Sequence, residues 1–202
     1  MKCPECKMEY IEDIPEDKEQ HRIYHDQIVN GVPAPQLNSD EIIWQVAQNR
    51  IIVVTAYSPM DQKILASTVS RVANQEMHYD GGIYSEYERP DKRNIHLFLY
   101  CSGERAIGLS ILEKRLNIVR YSWDEYDNGV QKKMEEKEPI WSLGFTWVHK
   151  KYRHRGIAKI VLIRAIDYLR VRINEIGLYT PLSKDGENFA KSIFPNNFLI
   201  AK

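Results

Sequence analysis

The chain has 202 residues, 43% of them hydrophobic and 10% aromatic, enough for the core of one good-sized domain with a small appendage and too apolar for a disordered chain. Lys and Arg number 28, as do Asp and Glu, so no net charge draws the whole protein to nucleic acid. No apolar run approaches the roughly 18 residues of a membrane span, and the opening MKCPECK lacks the apolar segment of a signal peptide; both point to an intracellular, reducing setting.

Residues 1–31 form the first predicted unit. Cys3, Cys6 and Cys101 are an odd set with one close pair, which suits metal ligation plus a buried thiol rather than a disulfide framework. A helix is expected from Pro15, where proline and the acids Glu16 and Asp17 suit a first turn, and Gly31 is its stop. The spacing Cys3-x2-Cys6-x14-His21-x3-His25 puts two thiols on a tight knuckle and two imidazoles one helical turn apart. That is the ligand set of one tetrahedral, structural Zn²⁺ ion. A unit this small cannot build a sufficient core, so the metal supplies much of its stability. Residues 1–30 carry four basic side chains (Lys2, Lys7, Lys18, Arg22) against eight acids, a net of −4. Such a helix repels phosphate, so the finger is expected to be structural or protein-binding, without strong direct nucleic-acid binding.

Residues 32–40 (VPAPQLNSD) read as a linker, and 41–202 as the main domain. Ile51–Thr55 is a β-branched strand, and Asp61–Met77 has helical apolar spacing. Asp80–Arg93 is a polar loop. Ile95–Cys101 and Ala106–Leu112 flank SGER as a hairpin, and Asn117–Trp123 extends the sheet. Asp124–Glu138 is a charged excursion, either solvated or turned toward a basic substrate. Ile140–Val148 is a strand, Ile157–Ile173 a helix, Leu178–Thr180 a short strand, Phe189–Phe194 a short helix and Phe198–Ala201 a last strand. The fold class is a mixed α/β (α+β) sheet with flanking helices, preceded by a small ββα-like finger. His78, His96 and His149 read as structural or exposed rather than catalytic, Cys101 as core, and the four tryptophans as core or groove packing.

The strand Ile140–Val148 leads into Arg153-His154-Arg155-Gly156-Ile157-Ala158, an R-x-x-G-x-A pattern at a strand–loop–helix junction. The free N–H groups of a helix's first turn, its dipole and the arginines together favour a phosphate group there. Gly156 lets the backbone approach a pyrophosphate or take positive φ.

This junction resembles the acetyl-CoA loop of the GNAT N-acetyltransferases, which implies a mostly antiparallel GNAT-type sheet and acetyl-CoA as co-substrate. By that resemblance Phe145, Thr146, Trp147 and Val148 face the pantetheine arm, and Arg153, His154, Arg155, Gly156, Ile157 and Ala158 hold the pyrophosphate. The segments 3-CPECKMEY-10, 15-PEDKEQHRIYH-25, 146-TWVHKKYRHRGIA-158, 184-KDGENFA-190 and 198-FLIA-201 resemble, in order, the zinc-finger cohesin acetyltransferases. The resemblance implies transfer of acetyl to lysines of a protein substrate, with chromatin- or replication-associated partners, in the nucleus of a eukaryote or the cytoplasm of a prokaryote. It departs from the family at the proton-handling groups. Where the family has Ser-Asp-Pro, Thr180 falls on the serine and Pro181 on the aspartate; an expected helix glutamate falls near Ile163 and an expected tyrosine on Ile193. Asp185 and Thr180 are the catalytic candidates that remain, with Asp185 either catalytic or the first residue of a D-G turn; Ser142, Tyr179 and Glu187 are further candidates. Two other readings stay open: a GNAT enzyme for another protein or a small amine, and an acyl-CoA-binding adaptor that docks through its finger.

Overall fold

The computed structural model describes residues 1–78, 84–87, 94–133 and 135–201. The loop expected over 80–93 lies largely outside them, and only 84–87 of it are described. Helix α1 (Pro15–Asn30) starts with proline in its first turn and two acids, and stops at Gly31, whose φ is 90°. Beyond it come strands β1 (Val32–Pro33), β2 (Glu41–Val46) and β3 (Asn49–Thr55), helix α2 (Met60–Met77), then β4 (Ile95–Ser102) and β5 (Arg105–Ser122). Helix α3 (Trp123–Asp127), β6 (Glu135–Val148), α4 (Ile157–Leu169), β7 (Gly177–Leu178), α5 (Lys184–Ile193) and β8 (Asn197–Ala201) complete the chain.

The strands make one sheet in the order β2-β3-β4-β5-β6-β7-β8. Pairing is antiparallel from β2 to β6, whereas β7 runs parallel to both β6 and β8. The long β5 pairs with β1 and β4 along its first part, with β6 over Gly108–Ile118 and with β8 over Ile118–Ser122. Alternation of side chains divides the core. Ile52, Val54, Leu97, Leu99 and Cys101 pack under α1 and α2, while Ile51, Val53, Phe98 and Tyr100 pack with α4 and α5. Each large side chain so buried contributes about 1.5–3 kcal/mol. Helix α4 turns Ile157, Val161, Leu162, Ala165 and Ile166 inward, the i, i+4 stripe that its sequence shows.

Several boundaries differ from expectation, each for a physical reason. The predicted strands 106–112 and 117–123 are one continuous strand, because β4 and β6 flank its first part and β8 its end. The charged excursion is shorter than expected. Ser122 and Glu125 form a reciprocal capping box that starts α3, and Glu135 already pairs with Ile118. Helix α4 stops at Leu169 because Arg170 turns left-handed (φ 54°), although the apolar spacing runs on to Ile173. Helix α5 begins at Lys184, five residues earlier than predicted, because the Ser183 hydroxyl accepts the Gly186 N–H at 3.1 Å. The β2 edge strand was not foreseen. Within the stretch read as a linker, Val32 pairs with Ala106 and Ala34 is buried.

Candidate active site and metal centre

The first ten residues fold back on themselves. The Cys3 N–H bonds the Met8 carbonyl at 2.9 Å, the Lys7 N–H bonds the Cys3 carbonyl at 3.0 Å, and Lys7 takes a φ of 64°. The turn sets the two thiols side by side, and α1 carries His21 and His25 over them. The four potential ligand atoms all lie within 4.8 Å of one another. Cys3 Sγ stands 3.3 Å from His25 Nδ1. His21 Nε2 is buried with no hydrogen-bond partner among the described residues, a costly state for an imidazole nitrogen unless it binds a metal. On the far side of its ring, His25 Nε2 faces the Glu5 carboxylate at 3.2 Å, the outer contact that fixes a ligating imidazole. Tyr10 stacks on His21 at 3.9 Å between ring centroids. Backbone N–H bonding, that of Cys6 foremost, brings the Cys3 thiol down to about 6, whereas burial pushes Cys6 up. A dication would hold both as thiolates. The donor set fits one structural zinc ion, closed to substrate on all four positions.

The finger is fastened to the sheet. Asp26 on α1 pairs with Arg105 on β5 at 2.5 Å, and the same guanidinium donates to the Gly31 carbonyl at 3.0 Å. His149, wholly buried just past the end of β6, bonds the Ile28 carbonyl through Nε2 at 2.9 Å and accepts the Lys151 N–H on Nδ1 at 3.3 Å. Burial keeps its pKa below the ordinary histidine value. It is structural, as expected, and joins α1 to the basic loop.

Strands β6 and β7 pair only at Ser142–Gly177 and Leu143–Leu178, followed by one bond from the Tyr179 N–H to the Leu143 carbonyl at 3.1 Å. Gly177 permits this approach: a Cβ there would meet Ser142 Oγ at 2.7 Å and Ala201 Cβ at 2.9 Å. Past Leu143 no further pairing joins the two strands among the described residues, and they part. At the same level β6 bulges on its other side. Ile111 faces Phe145 while Leu112 faces Leu143, which leaves Gly144 as the extra residue. A cavity of about 520 Å³ opens at the split. Leu143, Gly144, Phe145 and Thr146 line one wall, Tyr179 to Ser183 and α5 another, and Ile111, Glu113 and Arg115 of β5 a third.

Beyond the strand, Lys150–Tyr152 form a single 3₁₀ turn and Gly156 caps α4 with φ 76° and no side-chain cap. The first intrahelical bond runs from Ile160 to the Gly156 carbonyl at 3.0 Å, so the N–H groups of residues 157–159 face the loop, free for an anion. A Cβ on Gly156 would meet no atom within 4 Å; its φ alone demands glycine there.

The predicted cofactor residues are brought together in one continuous stretch but differ in what they offer. Phe145 and Thr146 line the cavity. The Trp147 side chain is buried, with its indole N–H on Glu76 at 3.2 Å, so its backbone is what remains available. The Val148 carbonyl accepts Arg153 Nε at 2.9 Å, and the same guanidinium pairs with Glu76 at 2.6 Å. Arg153 is thus already engaged by protein groups. His154 is exposed with φ 60°, Arg155 lies over the Tyr152 ring at 5.3 Å, Ile157 is buried and Ala158 is half-buried. Thr180 is half-buried at the rim, next to cavity-lining Tyr179 and Pro181. Asp185 is exposed in the first turn of α5 and does not line the cavity; the D-G pair is helical here, not a turn.

Sequence reasoning missed Glu113. It is 3% exposed and lies on a central strand, and it is the only carboxylate among the cavity's described lining residues. It is ion-paired to Arg115, whose guanidinium lies 5.0 Å from the Tyr179 ring centroid. A charged residue closing the apolar run 106-AIGLSIL-112 was the available signal.

This arrangement is that of an acyl-CoA transferase, and the comparisons agree. The model of the Acetyltransferase (GNAT) family matches residues 64–185, and that of the zinc-finger of acetyl-transferase ESCO matches residues 1–27. The chain therefore belongs to the GNAT acetyltransferase family. With an ESCO-type finger joined to that domain, it is an acetyl-CoA-dependent N-acetyltransferase. It is 24% identical over 198 residues to N-acetyltransferase ECO1 of Kluyveromyces lactis, covering 80% of this chain and 72% of that protein. The corresponding protein of Candida glabrata is 22% identical over 187 residues, covering 80% and 70%. Among solved structures, the xEco2 acetyltransferase domain bound to a lysine–CoA conjugate shares the fold, with a TM-score of 0.64 at 18% identity over 81% of this chain and 97% of that one. No helix among the described residues is long and apolar enough to cross a membrane.

Proposed function

We propose that the chain transfers acetyl from acetyl-CoA to the ε-amine of lysine side chains on a protein substrate. The observation that carries this is the split between β6 and β7. It opens a mostly apolar cavity at one end and leads to uncapped helix N–H groups at the other. The pyrophosphate would lie on the backbone of residues 153–158, held by the N–H groups at the start of α4 and by Arg155 and His154. The pantetheine would add along Phe145–Val148 as a strand-like partner, which leaves the thioester at the Gly144 bulge, where a backbone N–H can polarise its carbonyl. Cys3, Cys6, His21 and His25 would hold zinc and keep the finger seated on the sheet. Thr180 and Asp185, at the rim, would contact the incoming segment of substrate.

A protein substrate is favoured over a small amine by the relatives named N-acetyltransferase ECO1, which align along most of the chain, and by a solved relative that holds a lysine–CoA conjugate. The acidic finger supports a protein partner over nucleic acid. Partners of chromatin or replication, and a nuclear site of action in a eukaryotic cell, belong to this same proposal. So does the division into a finger at 1–31, a connection at 32–40 and a catalytic domain at 41–202. Comparison of kcat/KM for lysine peptides against polyamines and aminoglycosides tests it. Peptides should lead by at least tenfold, and preference for a small amine would overturn it.

A further inference from the structure

Acetylation of an amine has a proton problem. The substrate arrives as an ammonium and must lose a proton before its nitrogen can attack. The residues that the family resemblance offers for this do not reach the reacting region: Pro181 stands where an aspartate is expected, Ile163 where a glutamate is, and Asp185 is exposed on α5 outside the cavity. The other nearby acids lie outside the cavity's described lining and, like Glu113, are already paired. Glu187 pairs with Lys191 at 2.5 Å, and Glu76 is held by Arg153 and Trp147.

Glu113 is placed differently. It sits on β5 in register with Ser142 of β6, one step from the bulge. A Cβ built on Gly144 would lie 3.9 Å from Glu113 Oε1, so the carboxylate and the bulge look into the same space. The backbone that would polarise the thioester and the carboxylate thus belong to adjacent strands, fixed by the sheet rather than by a loop. The floor around them is largely apolar, with Ile111, Leu143, Leu178 and Phe189 in the lining. Arg115, the one cation among the cavity's described lining residues, holds that same Oε1 through its guanidinium and lies over the Tyr179 ring. A carboxylate with an aromatic face beside it is also what an alkylammonium seeks.

We propose that Glu113 is the group that receives the amine's proton, with Arg115 and Tyr179 as the residues that position it. This rests on the lysine acetyltransferase reading above. The ammonium N–H breaks and its proton passes to a Glu113 oxygen, directly or through one water. The nitrogen lone pair then forms the C–N bond to the acetyl carbonyl carbon, the C–S bond breaks, and the second amine proton leaves with the CoA thiolate as the free thiol. Glu113 returns its own proton to solvent. No oxidant, metal or further reactant enters.

The test is E113Q, measured beside E113D and wild type in zinc-loaded protein. Calorimetry with acetyl-CoA and a thermal melt report cradle and fold, and both should stay close to wild type. With a lysine peptide, kcat of E113Q should fall by about 10²–10⁴-fold with KM for acetyl-CoA unchanged, and E113D should recover part of the loss. The deficit of E113Q should shrink as pH rises toward the lysine range, because more of the amine then arrives already deprotonated. A merely structural role would lower all parameters together and give no such pH dependence. E113Q or E113D turning over within threefold of wild type at every pH would overturn the assignment. So would a loss that tracks acetyl-CoA affinity or melting. A wild-type chain that binds acetyl-CoA yet acetylates no peptide would instead strike at the function itself, and would show before any variant is made.

Discussion

Replacement of Gly156 by valine separates backbone strain from ligand contact. Gly156 holds φ 76° and ψ 5°, and a left-handed conformation costs an L-residue about 1–2 kcal/mol, with β-branched side chains at the upper end. Nothing in the protein lies within 4 Å of the added Cβ, so no packing clash adds to that cost. For a chain of 202 residues the melting temperature should therefore drop by roughly 2–8 °C, and the fold should survive. Acetyl-CoA affinity should suffer more. The new side chain would stand between the α4 N–H groups and a pyrophosphate, and losing two charge-assisted bonds at about 1.5–3 kcal/mol each implies at least about 100-fold weaker binding. The assay is calorimetry at a temperature well below the lowered melt, with Gly156→Ala as an intermediate. A valine variant that melts as predicted but binds acetyl-CoA within threefold of wild type would refute the cradle.

Four further outcomes follow from the same geometry. Chelation of zinc should lower the melting temperature and leave His21 and the two finger thiols without their shared partner; a chelator that leaves the melt unmoved would argue against a structural metal. Alkylation should modify no cysteine of the zinc-loaded native chain and Cys3 and Cys6 after chelation. It should reach Cys101, buried with its thiol pushed up to about 12, only after unfolding, so mass spectrometry showing early Cys101 labelling would contradict the packing. His149 is held below the ordinary histidine pKa by burial, so the unfolded chain takes up more protons than the folded one once pH falls below about 6.5. Stability should decline with acid from that point down through the folded-state value, and His149→Gln should flatten the decline in denaturant titrations. Gly177→Ala, whose Cβ would press on Ser142 and Ala201, should cost about 1–3 kcal/mol; an unshifted melt would mean that the β6–β7 approach is looser than described.

Much of this site was legible before the fold was known, and the reason differs by region. The finger was readable because metal ligands obey fixed spacing: four residues of the right chemistry at two short intervals leave few alternatives. The loop was readable because Gly156 sits between a β-branched strand and a helix with a clear apolar stripe. Helix and strand cores followed from periodicity. What escaped depends on tertiary contact. The long β5 was split in two because Lys114, Arg115 and Asn117 interrupt its pattern, yet pairing with β6 and β8 keeps it extended. Strand β2 sits at an edge and is half exposed, so its alternation is weak. Glu113 was hidden by the same interruption, since a single acid at the end of an apolar run looks like the strand's exit to solvent. Only the register with β6 brings it beside Gly144. Arg153 shows the converse, a residue whose type and place fit phosphate but whose guanidinium is already taken by Glu76 and the Val148 carbonyl.

The most direct measurement is the appearance of acetyl-lysine on a lysine-bearing protein or peptide incubated with acetyl-CoA and the zinc-loaded chain, read by mass spectrometry with E113Q run in parallel. Acetyl-lysine should accumulate in proportion to enzyme, far above the uncatalysed rate and far above the E113Q reaction. Accumulation no faster than in the enzyme-free control, by a chain that is folded, zinc-loaded and bound to acetyl-CoA, would contradict the proposed activity.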